Sequence, residues 1–210
     1  MRTLALVVCL LAVARAAEAQ SCMGAPIEIG NFAAGGGVRY TTGEKGFWLG
    51  VNSYRADRLA WSASVGQADI DGVPQNVTEL GASVAYVLAA GSQFAACPFV
   101  SGSYGWWSDA VLGESAGYRL LSGTAGVGVG INVPMSNGAS LAIFGAPGFT
   151  YLRSKNELMD ETTERNSNHF GATVGLGLNL GRVFFASYGS FTSEEGTDPL
   201  FGARIGFTVD

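Results

Sequence analysis

The sequence predicts an all-β fold: a closed, antiparallel, up-and-down transmembrane barrel of ten strands, with eight as the alternative count. Three observations carry this prediction. First, Arg119 to Val133 alternates strictly, with Leu121, Gly123, Ala125, Val127, Val129, Ile131 and Val133 on one face and Ser122, Thr124, Gly126, Gly128, Gly130 and Asn132 on the other. A period of two is that of a strand, and this run outlasts the ~5–6 residues usual in soluble sheets. Its second face is small and uncharged, so the apolar face is assigned to lipid and the small face to a barrel interior. Second, charged residues make up 14% of the chain and glycine 31 of 210 residues, whereas soluble domains average about 25% charged and about 7% glycine. Beyond Gln20 no apolar run approaches the ~20 residues of a spanning helix, so the chain is apolar by alternation. Third, the polar connections between strands alternate between long and short.

Taken in order, the chain opens with Met1-Arg2-Thr3, an apolar run from Leu4 to Ala14, and Ala17-Glu18-Ala19. This predicts a signal peptide over 1–19 with cleavage after Ala19. Neither Cys9 nor Cys22 has the preceding residues of a lipoprotein signal. A segment over 20–30 leads into one barrel domain, 31–210, with no composition break to divide it.

The first strand is expected over Asn31 to Thr41 and the second over Phe47 to Tyr54, each alternating apolar with small residues. The third runs from Leu59 to Gln67 and the fourth from Val77 to Ala89, separated by a breaker-rich stretch that includes Asp71-Gly72 and Pro74. The fifth is Gln93 to Trp107 and the sixth the Arg119 to Val133 run. Asn137-Gly138 signals a hairpin into the seventh, Ser140 to Ser154. The eighth, Asn168 to Leu180, has the second-cleanest alternation; the ninth is Val183 to Thr192 and the last Leu200 to Val209. Connections 42–46, 70–76, 108–118, 155–167 and 193–199 are longer and polar, and 56–58, 90–92, 134–139 and 181–182 are shorter. Longer outer loops alternating with short periplasmic turns, with both termini periplasmic, is the bacterial pattern. Tyr40, Phe47, Trp106, Trp107, Tyr151, Phe170 and Phe184 are expected in interfacial girdles.

Within this frame CPFVSGSYGWW (97–107) resembles the glycine-aromatic strand of OmpA-like and opacity-type outer-membrane barrels. FGATVGLGLNLG followed by RVFFASY (170–188) resembles their penultimate hairpin, and GARIGFTV (202–209) their C-terminal strand signal. The chain departs from the family by ending on Thr208-Val209-Asp210 instead of an aromatic residue. The resemblance implies an outer-membrane protein among lipid and lipopolysaccharide, recognised by the insertion machinery through its last strand, and monomeric. It is specific for architecture and nearly silent about activity.

A net charge of −5 and the absence of a basic cluster exclude nucleic acid as the partner. No phosphate-cradling loop is present, the acidic segments 157–164 and 194–198 lack the ligand spacing of a calcium loop, and no cofactor or metal is expected. Arg39, Glu79 and Arg204 have inward parity, and an internal network among them is the favoured reading over tuning of an ion path. His169, the one histidine, is inward at the outer end of its strand. Ser167 shares its parity and Glu164 is near in sequence, so an outer-membrane hydrolase, akin to omptins or lipid A deacylases, is the alternative to a non-catalytic structural, surface or narrow-pore barrel. Inward faces of Gly, Ala, Ser and Thr leave a ten-strand lumen under-filled, which predicts that Gln20 to Gly30 plugs its periplasmic mouth. Cys97, inward and just past a periplasmic turn, is then predicted to pair with Cys22 in an oxidising compartment; two unpaired thiols are the alternative.

Overall fold

A computed structural model describes residues 32–54, 58–73, 75–90, 94–111, 114–158, 161–194 and 196–209. The expected signal peptide, the 20–30 segment and Cys22 lie outside the described residues. The strands are β1 (Phe32–Thr41), β2 (Glu44–Tyr54), β3 (Leu59–Ile70), β4 (Val77–Tyr86, with a short extension at Ala89–Ala90) and β5 (Phe94–Val111). They continue as β6 (Glu114–Pro134), β7 (Ala139–Leu158), β8 (Glu161–Leu180), β9 (Val183–Thr192) and β10 (Leu200–Val209). Each pairs antiparallel with its neighbour in sequence, and β1 pairs with β10 from Phe32↔Val209 to Tyr40↔Phe201, so the sheet closes on itself. The count is ten, and closure leaves no edge within the barrel.

The alternation sorts side chains as the sequence predicts. Every strand exposes large apolar residues outward: Leu49 is 62% exposed, Val100 63% and Val38 58%, with Phe47, Leu80, Leu121, Ile143, Phe170, Phe185 and Phe207 in the same belt. A contiguous apolar surface of this extent is not stable in water. Two expected girdle residues depart from it, since Trp107 and Phe184 are 6% and 3% exposed. Both have inward parity, which overrides the tendency of aromatics to mark interfaces.

The larger correction concerns the polar stretches 108–118 and 155–167. Their described residues are strand, not loop: β5 and β6 stay paired out to Val111↔Glu114, and β7 and β8 out to Leu158↔Glu161. The strands β5 to β8 therefore have 18, 21, 20 and 20 residues, against 10 to 12 in the others. Two hairpins project beyond the apolar belt at one end, here the hairpin end; the first and last described residues, Phe32 and Val209, lie at the other, the terminus end. Backbone hydrogen bonds hold the ladder wherever two strands run together, but hydrophobic alternation appears only where one face must be apolar. Once both faces are polar, the period of two disappears from the sequence.

Smaller features follow from single residues. The expected continuous fourth strand is broken near its end: Ala85 faces Phe99 but Ala89 faces Ala96, so one extra residue on β4 forms a bulge opposite Pro98, which has no N–H for the ladder. Gly181 sits at φ 71° and Gly138 at φ 74° in the tight turns at the terminus end, where a Cβ would be strained.

Candidate functional site

The lumen is built in layers from the terminus end. Lowest is an apolar cluster of Ala33, Ala85, Val87, Cys97, Phe99 and Phe184. Cys97 is fully buried on this inward face, while its expected partner Cys22 falls outside the described residues. Asn132 and Asn179 are also buried at this end, 2% and 8% exposed, and both amide atoms of Asn132 and Oδ1 of Asn179 have no hydrogen-bond partner among the described residues.

Five inward aromatics stand directly opposite a glycine on the next strand: Trp48 opposite Gly37, Phe99 opposite Gly126, Phe144 opposite Gly175, Phe184 opposite Gly206 and Tyr188 opposite Gly202. The rings lie against these glycines so closely that a Cβ on Gly206 would sit 2.5 Å from Phe184 Cζ, and one on Gly126 2.9 Å from Phe99 Cε1. Glycine thus lets each ring lie along the wall instead of crossing the lumen. The interior is better filled than Gly, Ala, Ser and Thr alone would make it.

Above and between the rings runs a polar row. Asn52 faces Ser62, Ser62 faces Ser83, Ser83 faces Ser101, Ser101 faces Thr124, Thr124 faces Thr150 and Thr150 faces His169, each on the adjacent strand. Directly opposed residues share a face with Cβ atoms about 5 Å apart. Because barrel strands tilt, this row climbs from Asn52 near the terminus end of β2 to His169 near the hairpin end. Ser62 and Ser83 bond at 2.7 Å and Thr124 and Thr150 at 2.9 Å; beside the row Ser103 and Ser122 bond at 2.8 Å and Thr173 and Ser190 at 2.8 Å.

The inward charges occupy two places. Arg39 donates a hydrogen bond to Glu79 at 2.6 Å and forms an ion pair with Glu44 at 2.5 Å, a bridge between two carboxylates. Arg204 has its guanidinium 5.8 Å over the Phe184 ring. The network among Arg39, Glu79 and Arg204 thus takes a different form: Glu44, expected in a turn, supplies the second acid because β2 begins three residues earlier than its hydrophobic pattern.

At the hairpin end His169 Nδ1 lies 3.5 Å from Glu194 Oε2, and Arg165 donates to Glu194 Oε1 at 2.8 Å. The 193–199 connection is tied to β8 by Ser193 N–H donating to the Phe170 carbonyl at 2.8 Å. Ser167 Oγ and His169 Nδ1 are buried without a hydrogen-bond partner among the described residues. Glu164, the nearer acid in sequence, is not with them: it has the opposite parity and pairs with Arg153 at 3.2 Å. Sequence spacing favoured Glu164, whereas the loop after β9 delivers Glu194. No group of three or more metal-ligating side chains gathers among the described residues.

Cavities lie within the lumen among the described residues. One of about 340 Å³ lies against β1 to β4 and holds Arg39, Glu79, Arg204, Tyr188 and the Ser62–Ser83 pair. Another, about 520 Å³, lies in the hairpin half against β5 to β9.

No protein-family model matches the chain, and no curated protein matches it in sequence. Among solved structures it is similar to the β domain of the Bordetella autotransporter BrkA (11% identity, TM-score 0.49, 85% of this chain and 98% of that one). It is similar also to the KdgM porin (11%, 0.43, 85% and 99%) and to the outer membrane protease OmpT from Escherichia coli (8%, 0.41, 85% and 95%). These likenesses are of barrel form, and their differing names carry no role over to this chain.

Proposed function

We propose that the chain is a bacterial outer-membrane barrel with a structural or surface role, non-catalytic, whose lumen is at most a narrow hydrated path. The observation that carries this reading is the two-faced wall: a continuous belt of exposed aliphatic and aromatic side chains outside, and small hydroxylic residues, bridged charges and flat rings within. Only a lipid environment stabilises that outer face, and closed sheets cross lipid because every backbone group is paired. The hairpin end is the outer end, and the termini are periplasmic. The apolar cluster at the periplasmic mouth argues for restricted passage, and the buried Asn132 amide and Asn179 Oδ1, without hydrogen-bond partners among the described residues, support the 20–30 segment as the plug, locked by a Cys22–Cys97 disulfide.

Partition into outer-membrane vesicles with heat-modifiable gel mobility tests the location, and planar-bilayer recording tests the path. Large, stable conductance of the sixteen-strand porin kind would overturn the narrow lumen. Protease applied to intact cells should cut first between Lys155 and Arg165; cutting confined to 90–92 or 181–182 would invert the orientation. The buried Ser167 Oγ, without a hydrogen-bond partner among the described residues, and His169 with its Nδ1 3.5 Å from Glu194 favour a second reading as a hydrolase. Against it, Arg165 already engages Glu194, and Glu164 faces away. In the first reading His169→Ala leaves folding and surface display unchanged, while in the second it abolishes activity on lipid A or peptide substrates.

A further inference from the structure

We propose that the outer half of the lumen is a binding cup for a neutral, polyhydroxylated small molecule, a sugar of one or two rings. The cavity of about 520 Å³ falls within the ~300–1,000 Å³ of small-molecule sites. Its wall carries Ser101, Ser122, Thr124, Thr150, Thr173 and Ser190, with the Phe99 and Phe144 rings toward its lower end.

The lining chemistry selects the ligand. In each hydroxyl pair, Thr124 with Thr150 and Thr173 with Ser190, one O–H is used as the donor. The second O–H and spare lone pairs remain in each pair, so the wall offers donors and acceptors side by side, as a polyol requires. An apolar occupant would strip these hydroxyls of water without replacing its bonds. A charged occupant would find its counterparts only at the mouth, where His169 faces Glu194 and Asp198 also lines the cavity; deeper in the cup an ion would be desolvated unpaired. The flat rings of Phe99 and Phe144, laid against Gly126 and Gly175, add apolar surface of the kind that C–H faces of a sugar ring cover.

This inference rests on the outer-membrane reading only for the side from which the ligand arrives. Saturation-transfer NMR on the full chain folded in dodecylphosphocholine micelles tests it, with glucose, maltose, sucrose and glucose 6-phosphate as probes. Heat-modifiable mobility serves as the folding control. Neutral sugars should bind saturably at millimolar concentration. Thr150→Val/Thr173→Val, which keeps shape and removes two hydroxyls, should weaken binding at least tenfold. Ala146→Phe, which fills the cup while leaving every hydroxyl residue in place, should abolish it and decides the matter if the double variant does not fold. Absence of saturable transfer from a folded barrel to any neutral sugar overturns the proposal. So does transfer unchanged by a folded variant, or glucose 6-phosphate bound as tightly as glucose. Failure of the chain to fractionate with outer membranes would instead sink the location and leave the micelle result standing.

Discussion

Replacing Arg39 by Met should be the most damaging single change to the inward charges. Arg39 bridges Glu44 at 2.5 Å and Glu79 at 2.6 Å, with the three side chains 23%, 24% and 14% exposed. At an effective dielectric near 20, each such pair is worth about 4 kcal/mol of Coulomb attraction at about 4 Å, largely offset by desolvation already incurred. Removing one partner of a buried pair costs about 3–5 kcal/mol. Here the residual exposure lowers the cost, but two carboxylates are left facing one another, so a loss of about 2–3 kcal/mol is expected. Glu79→Gln should cost about 1 kcal/mol, because Glu44 still holds Arg39 and the amide still accepts a hydrogen bond. The double variant Arg39→Met/Glu79→Met should recover part of the loss, since one of the two facing acids is gone. Urea unfolding of the barrel refolded in lipid vesicles, followed by tryptophan fluorescence, measures all three. A cost below about 0.5 kcal/mol for Arg39→Met, or equal costs for the two single variants, would refute the bridge as an energetic unit.

Other outcomes follow from other parts of the barrel. Non-reducing peptide mapping of purified membranes should recover Cys22 joined to Cys97, and reduction should lower stability by on the order of 4 kcal/mol for a loop of this length; two alkylatable thiols in the native protein would refute the bridge. Gly206→Ala should cost about 1–3 kcal/mol through overpacking, because the new Cβ meets both the Phe184 ring at 2.5 Å and the Ala34 carbonyl at 2.6 Å. Phe184→Ala in that background should restore only part of the loss, and full restoration would show the backbone contact to be irrelevant. On the projecting β7, the hydrogen bond and charge of Lys155 hold the Glu157 carboxyl below its ordinary range. A depressed carboxylate favours the folded hairpin above its unfolded value, and that contribution fades as pH falls through the folded value. Carbon-detected NMR titration should therefore show Glu157 moving upward in Lys155→Met, and an unchanged midpoint would remove the pair.

How much of this was legible in the sequence depended on where lipid imposed a pattern. Leu121 to Val133 and Phe170 to Leu180 could be read directly, because a strand with one face in lipid and one in a lumen must alternate at every residue. The same alternation placed Arg39, Glu79, Arg204 and His169 inward. It could not reach Ser108 to Tyr118 or Lys155 to Ser167, where neither face is continuously apolar and only cross-strand hydrogen bonds reveal the described strand residues. Nor could it pair residues across strands, since parity says which way a side chain points and register says what it meets. That Glu44 joins Arg39, that Glu194 and not Glu164 approaches His169, and that Trp48, Phe99, Phe144, Phe184 and Tyr188 each lie on a glycine are facts of register and loop path. The row from Asn52 to His169 is likewise spread over seven strands in sequence and becomes a continuous wall only when those strands pair in this register, because local alternation fixes the face of each residue while tertiary pairing fixes its neighbours.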